Sequence, residues 1–426
     1  MNFFNLLSQS TNYLGNGVVS VAPLELNWIG NIIKWLIEGI GITGVGIIVF
    51  TLILKTIVLP LDIYSRYKTK KQALIMEKMR PQMEKLKKQY ANDTQAYQQK
   101  VMELQRANGY SVFSSCLPMI VTLVIFMTVF GAFSTYSQFA TLESYNGMVK
   151  AYNQGMAQFV QTTDNQDGFL IEEQNVNGKS DYKVDFGKFL TYYNSNNTEG
   201  ETDYATEDEL FVALYNQTYK TNVASVNEEQ KLVLVDDYIS APCAKAAADY
   251  YQNNKNGFLW VRNIWYPDSM FNREIPDFEG FKKSVSQRVI SDEYKPSYEN
   301  VTAGLVTEKN TFNGYFVLIV LAIGGMLVQQ LVMSKANKAM TEFSTVDGSG
   351  AQSNKMMMWM MPIMYGIFSF FYSAAFSIYM VTNTVYGLIT TLIINKAMDR
   401  AFEKREEKEE IDRYSRRPIY NKNNRK

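Results

Sequence analysis

Long apolar runs constrain this chain more than any other feature. Runs long enough to cross a lipid bilayer lie near residues 40–61, 112–133 and 312–333, and two shorter ones lie at 356–373 and 375–394. A hydrocarbon layer about 30 Å thick is crossed by a helix of about 20 apolar residues. A spanning segment must also satisfy its backbone hydrogen bonds internally, which a helix does. The sequence therefore predicts an α-helical membrane protein with a five-helix transmembrane bundle that ends in a tight hairpin.

The first of these runs contains a lysine and no carboxylate that could neutralise it. Lys55 lies roughly 7 Å beyond the middle of a helix over 40–61. A cation at such a depth costs about 2.5–3.5 kcal/mol against lipid. Two interpretations stay open: the side chain faces a polar, water-filled groove, or it extends along its own stem to the cytoplasmic headgroups.

Further polar side chains lie in the predicted spans. Thr51 is four residues before Lys55 and therefore shares its helix face. Taken singly, each Thr, Gln or Asn is explained by hydrogen bonding between helices. Taken together, they can line a hydrated groove. The candidate groove residues are Lys55, Thr51, Thr122, Gln330, Tyr379 and Asn383.

Charge is distributed unevenly although the chain has 42 basic and 42 acidic residues. Lys and Arg outnumber Asp and Glu by 11 to 4 in residues 63–110 and by 11 to 7 in 395–426, whereas residues 134–310 have 15 against 26. The positive-inside rule then places the first two segments in the cytoplasm and the N-terminus outside. The predicted order is an external segment 1–39, a transmembrane helix 40–61, a cytoplasmic helical hairpin 62–111, a transmembrane helix 112–133, an external domain 134–311, a transmembrane helix 312–333, a cytoplasmic loop 334–355, transmembrane helices 356–373 and 375–394, and a charged cytoplasmic tail 395–426.

The N-terminal segment is predicted to hold an amphipathic helix in the outer interface. Residues 27–38 place two tryptophans and several isoleucines among Asn31, Lys34 and Glu38. The alternative is a plain extension of the first span. Residues 1–26 have no basic stretch followed by an apolar one, so no cleaved signal peptide is expected.

The basic segment between the first two spans is rich in helix formers from Tyr64 to Gln105 and is interrupted only near residues 90–94. This pattern predicts a helical hairpin in which Asp93 or Thr94 caps the second arm and Pro81 bends the first. Met76, Met79 and Met83 recur at helical spacing. They either close the seam between the two arms or form a deformable surface for passing apolar segments.

The external segment favours an inserted domain of α+β or mostly helical fold. Residues 206–220 and 228–252 are predicted to be helical, and 182–190 to form a strand or an irregular edge. The segment shows no catalytic spacing, glycine-rich phosphate loop or metal-ligand pattern. Its acidic clusters are most simply a solvated surface.

Several function classes are excluded by the residue inventory. The chain has no histidine, which removes Ser-His and Cys-His hydrolysis, histidine-containing zinc sites and histidine proton relays. Cys116 and Cys243, the two cysteines, lie on different sides of the predicted topology, so no disulfide between them is expected.

Five short motifs occur in the order found in one known group of membrane proteins. They are Lys55-Thr-Ile-Val-Leu-Pro-Leu61, Lys78-Met-Arg-Pro-Gln-Met83, Ser114-Ser-Cys-Leu-Pro118, Trp359-Met-Met-Pro-Ile363 and Tyr379-Met-Val-Thr-Asn383. With them, the chain resembles YidC-type membrane protein insertases of the Oxa/Alb/YidC superfamily over residues 40–133 and about 258–394. Phe258-Leu-Trp-Val261 is similar to the short external motif of that family.

The resemblance assigns Lys55 to the position of the family's groove arginine, and Thr51 and Tyr379 to positions that line the groove or contact substrate. The chain departs from the family pattern by having Lys55 in place of arginine, Ser114-Ser115 in place of a glycine pair, and Thr122 and Val124 in place of a Gln and a Pro. Lysine keeps the charge but loses the planar fork that recognises a carboxylate with two bonds.

The function implied by the resemblance is an insertase in the bacterial cytoplasmic membrane, not an enzyme. It would move hydrophilic segments of nascent membrane proteins through a polar groove and release their transmembrane helices into the lipid bilayer. The ribosome and the Sec translocon are further expected partners. No cofactor, metal or small-molecule substrate is expected. Two other classes stay open: a small-solute transporter or channel, and a membrane-anchored external receptor or assembly factor.

Overall fold

The computed structural model describes residues 18–109, 112–174, 180–196, 203–285, 289–336 and 349–415. The chain divides into two compact units. The inserted unit comprises Met1–Leu26 and Thr135–Gly314, and the membrane unit comprises Asn27–Ser134 and Tyr315–Lys426.

The elements follow one another in a helix-rich order. In chain order they are α1 (Trp28–Ile40), α2 (Thr43–Gln89), α3 (Thr94–Ala107), α4 (Val112–Ala157), β1 (Leu170–Gln174), β2 (Ser180–Val184), α5 (Phe186–Ser195), α6 (Glu207–Tyr219), α7 (Glu228–Asn254), α8 (Phe278–Val285), a 3-10 turn (Asp292–Tyr294), α9 (Lys295–Val301), α10 (Val306–Asn310), α11 (Val317–Ala336), α12 (Ser349–Phe371) and α13 (Ala374–Ser415).

Three segments are long and apolar enough to cross a membrane among the residues described with their side chains. They are Thr43–Gln89, Val317–Ser334 and Ala374–Arg405, and a shorter apolar segment covers Pro362–Phe371. The prediction of an α-helical membrane protein is confirmed. The number of five spans stays a prediction, because part of α4 lies outside the described side chains.

Helix α1 begins and ends at residues suited to those positions. The Asn27 side chain accepts a hydrogen bond from Gly30 N at 2.8 Å, and Gly41 ends the helix in the left-handed region with φ 76°. Trp28 and Trp35 are each 73% exposed, whereas Ile33 and Ile37 are buried. The helix packs on α2 at Gly46, where an added Cβ would lie 2.9 Å from the Cα of Ile37.

The first predicted span and the first arm of the hairpin are one continuous helix. α2 runs for 47 residues through Pro60 and Pro81 without ending at either. The chain turns after Gln89, and the Asp93 carboxylate caps α3 by accepting from Gln95 N and Ala96 N. The hairpin seam is an apolar cluster of its own, built from Met76, Met79, Met83, Tyr97 and Val101.

The inserted unit is mostly helical, which decides between the two predicted fold classes. Its described part contains a single antiparallel pair of strands, β1 and β2, in which Leu170 pairs with Val184. Residues 182–190, predicted as a strand or edge, divide between β2 and α5. The division falls at Asp185, whose carboxylate caps α5 by accepting from Lys188 N at 3.0 Å. α6 and α7 agree with the two predicted helical segments.

The core of the inserted unit joins residues that are distant in the chain. Val18 and Val21 lie in the same apolar cluster as Tyr145 on α4 and Phe281 on α8. Tyr145 Oη donates to Val19 O at 3.0 Å, and the Asn146 amide bonds both to Val21 N and to Val21 O. α4 continues well beyond the predicted membrane boundary at residue 133 and ends inside this core at Ala157. Cys243 is buried as a free thiol.

Candidate functional site

Lys55 lies on α2 within the segment that can cross a membrane. Its side chain is half-buried. The carboxylate nearest along the chain, Asp62, accepts from Arg66 Nε at 3.0 Å. Among the side chains that the structure describes, no carboxylate lies within 4.0 Å of the Lys55 ammonium. Lys55 therefore carries a charge that its described surroundings do not neutralise.

Four polar residues form a stripe along one face of α2. Thr51, Lys55, Asp62 and Arg66 are separated by four, seven and four residues, the spacing that returns a helix to the same face. The Arg66 side chain is 13% exposed and that of Asp62 is 39% exposed. The charges of Asp62 and Arg66 cancel each other. These four residues, which we call the α2 polar stripe, therefore have one net positive charge, which Lys55 supplies.

The hydroxyls of the candidate site mostly bond to their own helices. Thr51 is fully buried, and its Oγ1 donates to Ile47 O at 2.7 Å. Thr382 Oγ1 donates in the same way to Ile378 O at 2.8 Å. These bonds satisfy the hydroxyls without a partner helix or water. Thr51 thus separates Lys55 from the apolar packing at Ile47, which is also fully buried.

An aromatic cluster packs α2, α4, α12 and α13 together. Ring centroids within it are separated by 4.6 to 6.5 Å. Its members are Phe50, Phe126, Phe130, Phe133, Tyr365, Phe368, Tyr372, Phe376 and Tyr379. Phe50 precedes Thr51 directly, so the cluster holds the helix of Lys55 in place by packing rather than by hydrogen bonds.

A row of polar groups follows α13 from this cluster. Tyr379 is buried against Phe133, and Asn383 lies one turn later. Asn383 Nδ2 donates to Tyr365 Oη at 3.4 Å. After another turn comes Gly387, where an added Cβ would lie 2.6 Å from Gln329 Nε2 of α11. A side chain at this position would make the Gln329 amide shift from its place beside α13.

Two of the groups in this row, Tyr365 and Gln329, were not among the predicted groove residues. Tyr365 follows a proline-containing apolar motif and gave no signal of its own. Gln329 was indistinguishable from Gln330, because the sequence does not show which of two adjacent glutamines faces a neighbouring helix. A glycine four residues after Asn383 could have marked the close approach. Gln330 has a half-buried side chain, and the side chain of Thr122 lies outside the described residues.

The three hairpin methionines are deeply buried. Met76 is 6% exposed, and Met79 and Met83 are each 1% exposed. They pack with Tyr97 and Val101 of α3 in the hairpin seam. This arrangement supports the packing interpretation. Exposed basic residues such as Lys78, Lys85 and Lys100 lie around the seam.

The described side chains contain no group of acidic, His or Cys residues that could hold a metal ion.

The comparisons with known proteins converge on one family. The family model described as 60Kd inner membrane protein matches residues 35–167 and 210–401. A membrane protein insertase YidC of Fusobacterium nucleatum is 39% identical over 92 residues, which cover 22% of this chain and 43% of the relative.

Two further relatives carry the same name. The protein of Caldanaerobacter subterraneus is 32% identical over 114 residues, or 27% of this chain and 53% of the relative. That of Geobacter sulfurreducens is 32% identical over 116 residues, or 26% of this chain and 21% of the relative. The chain thus spans about half the length, or less, of the curated relatives it matches. No solved structure matches it.

Proposed function

The chain belongs to the 60Kd inner membrane protein family, and we propose on this basis that it is a membrane protein insertase of the bacterial cytoplasmic membrane. Its clients are nascent membrane proteins, and its action requires no covalent chemistry. The observation that carries the proposal is Lys55, a cation in a membrane-spanning segment with no described carboxylate partner.

Lys55 attracts acidic residues in the hydrophilic segment of a client. A cation that is unpaired at this depth is too costly to face lipid, so the α2 polar stripe faces a hydrated groove. The groove lets a client's polar backbone stay hydrated part of the way across the membrane, where each unsatisfied group would otherwise cost several kcal/mol. Asn383, Gln330 and Thr122 line the proposed groove with Lys55, and Thr51 and Tyr379 support it from the buried packing.

Two energy sources can drive the transfer. Client apolar surface that leaves water gains about 25 cal/mol per Å². The membrane potential adds about 2.3 kcal/mol per elementary charge per 100 mV for acidic residues moved outward. No nucleotide is needed for this mechanism.

The proposed orientation places the hairpin of α2 and α3 and the end of α13 in the cytoplasm, with the inserted unit and the N-terminus outside. The hairpin then presents its basic surface to the ribosome, whose RNA phosphates it suits. A role beside the Sec translocon belongs to the same proposal.

Reconstitution tests the function directly. The purified full chain is placed in protein-free liposomes, and a client with a short acidic translocated tail is synthesised in their presence. We expect the tail to become protected from external protease, while liposomes without the protein leave it accessible. Equal protection in both samples would refute the insertase proposal. Release of a small encapsulated solute, with no tail protection, would indicate a channel instead.

A further inference from the structure

Two tight turns of the inserted unit, and the segment that leaves the unit beside them, expose large apolar side chains. Phe271 is 78% exposed, Leu259 71%, Phe312 43% and Met270 42%. We call these four residues the turn patch. The other exposed apolar residues in the described part of this unit are mostly less exposed than these four, such as Tyr219 and Leu232 at 38% each. Val306, at 63%, lies on α10, which leads directly to Phe312.

The backbone holds Leu259 in an unfavourable conformation. Phe258 N donates to Val261 O at 2.9 Å, and Val261 N donates to Phe258 O at 3.0 Å. These two hydrogen bonds close a turn that has Leu259 and Trp260 at its tip. Leu259 has φ 55°, in the left-handed region that residues with a Cβ rarely adopt. A leucine at this position is explained neither by burial, since the side chain is exposed, nor by the preference of the backbone. It is explained by a requirement for an apolar side chain at the tip of the turn.

The patch lies close, along the chain, to the start of α11. Asn313 N donates to Asn272 O at 2.9 Å, and Gly314 N donates to Ser269 O at 3.3 Å, so the Ser269–Asn272 turn is bonded to the segment that leaves the unit. Arg262 N donates to Asn313 O at 3.1 Å and bonds the first turn to the same segment. α11 begins at Val317, three residues after Gly314. Three residues reach about 10 Å at most.

The exposed charge around the patch is positive. Residues 255–274 contain five charged side chains. The two carboxylates, Asp268 and Glu274, are 0% and 1% exposed. The Lys255 and Arg262 side chains are 37% and 48% exposed, and both approach the buried Glu274 carboxylate, at 3.6 and 3.8 Å. The Arg273 guanidinium lies 4.6 Å from the Phe312 ring centroid. Three cations thus stand against two buried carboxylates, and the group keeps one net positive charge on its exposed side. This basic surface stands out in a segment where acidic residues outnumber basic ones by 26 to 15.

We propose that the turn patch inserts into the phospholipid interface of the membrane that α11 enters, with the basic side chains against lipid phosphates. Apolar tips flanked by cations are the composition that binds an anionic membrane surface. The patch would thereby anchor the inserted unit to the bilayer independently of any client. The inference holds whether or not the chain is an insertase.

Depth-dependent fluorescence quenching tests this anchor. Phe271→Cys in the full chain is labelled with an environment-sensitive fluorophore and reconstituted alone into vesicles of phosphatidylethanolamine and phosphatidylglycerol. Cys243 is buried, and labelling of the parent chain measures the background. We expect blue-shifted emission and at least twofold stronger quenching by lipids with a nitroxide near the headgroup than by aqueous iodide. Leu232→Cys on α7 is the matched control and should show the opposite preference.

A second variant shows whether the apolar tips are responsible. With the label moved to Met270→Cys, the substitutions Leu259→Ser and Phe271→Ser should reduce quenching by lipid to the level of the Leu232 control. Iodide quenching of Phe271→Cys as strong as that of the control would overturn the proposal. So would shielding that arises only when a second protein is added, because the patch would then be a protein contact. The readout uses no client, so its failure leaves the insertase proposal intact.

Discussion

Lys55 is the residue on which the proposed mechanism depends most. Its half-buried side chain follows a fully buried threonine on the same helix face. Asp62, which could have neutralised it, is engaged by Arg66 at 3.0 Å. In the proposed mechanism, this positive charge is therefore available to a client.

Substitutions at Lys55 separate attraction from simple structural support. Lys55→Arg keeps the charge, and we expect insertion of an acidic-tailed client to stay within about twofold of the parent. Lys55→Glu reverses the Coulomb term, which amounts to roughly 4 kcal/mol for unit charges 4 Å apart at an effective dielectric of 20. Water in the proposed groove reduces this Coulomb energy. We therefore expect about a tenfold loss in insertion of the acidic-tailed client, equivalent to about 1.4 kcal/mol. Protease protection of the client tail measures both variants.

The control for this prediction is a client with a neutral tail. The Lys55→Glu variant should insert it nearly as well as the parent does. An equal loss for neutral and acidic tails would show that Lys55 acts by holding the helices, and the electrostatic part of the mechanism would then be wrong.

At the same scale, sequence reasoning could identify Lys55 but not Tyr365. An unpaired cation in an apolar run has a cost that can be computed without knowing any neighbour. The bond from Asn383 to Tyr365 depends on how α12 and α13 pack, with Ser369 and Ser377 in contact at 2.7 Å between them. Such pairings are set by tertiary packing and leave no trace in local spacing.

Among the elements, the end of α13 braces the first arm of the hairpin. Tyr67 of α2 stacks on Phe402, with ring centroids 5.5 Å apart. Lys70 Nζ lies 2.8 Å from the Asp399 carboxylate, and Arg405 Nη1 donates to Tyr67 Oη at 3.1 Å. Each partner recurs at a spacing of three on its own helix, so the contact follows one face of both helices.

Truncating the tail at two positions separates this brace from the basic end of the chain. A stop after Asp399 removes Phe402 and Arg405, and a stop after Ser415 removes only residues 416–426. We expect faster amide hydrogen exchange in residues 64–89 for the first truncation and no change for the second, because only the first removes the brace. The exposed ion pair between Lys70 and Asp399 adds little stability, so loss of the contact between Tyr67 and Phe402 should account for most of the change in exchange.

Ribosome co-sedimentation of the same two truncations tests the proposed docking. If residues 416–426 contact the ribosome, both truncations should lose binding at low salt. If the tail acts only by bracing the hairpin, the stop after Ser415 should bind as the parent does, with the same salt dependence. If both truncated proteins bind the ribosome as the parent does, and if amide exchange in residues 64–89 is unchanged in both, the contact between α13 and the hairpin has no role in either property.

The hairpin was predictable from sequence, but the continuity of α2 was not. In the sequence, both Asp93 and the spacing of the three methionines indicate the hairpin. In the structure, Asp93 caps α3 and the methionines pack in the hairpin seam. Pro60 ordinarily indicates that a helix ends or kinks, since it removes a backbone donor. In this chain the helix continues through it, because contacts with neighbouring helices outweigh the loss of one bond.

For the whole molecule, the two units share α4, and this determines how the inserted unit can be removed. α4 contributes Phe133 to the aromatic cluster of the membrane unit and Tyr145 to the core of the inserted unit. The helical segments of α6 and α7 could be predicted, but the packing of the inserted unit could not, because its core joins Val18 and Val21 to residues more than 100 positions away.

Two deletions of the inserted unit should therefore behave differently. Replacing residues 135–314 by a flexible linker of about 12 residues removes all of the unit except its N-terminal segment, Met1–Leu26. Removing only 140–250 takes away Tyr145, which packs on both Phe281 and Tyr298, and burial of such side chains contributes about 1.5–3 kcal/mol each. We expect the first variant to keep much of the insertion activity and the second to aggregate. Size-exclusion profiles and tail protection measure both, and complete loss of activity in a folded first variant would favour a receptor role.

The continuous α2 also has a mechanical consequence. Pro60 divides it into unequal arms, because Gln89 lies about 44 Å away on one side and Lys55 about 8 Å away on the other. A pivot of about 5° at the proline would displace the far end by roughly 4 Å and Lys55 by less than about 1 Å. If α2 pivots at Pro60 as a rigid body, it is a lever with a reduction of about six to one. Large movements of a partner at the hairpin tip would then reach Lys55 as sub-ångström adjustments.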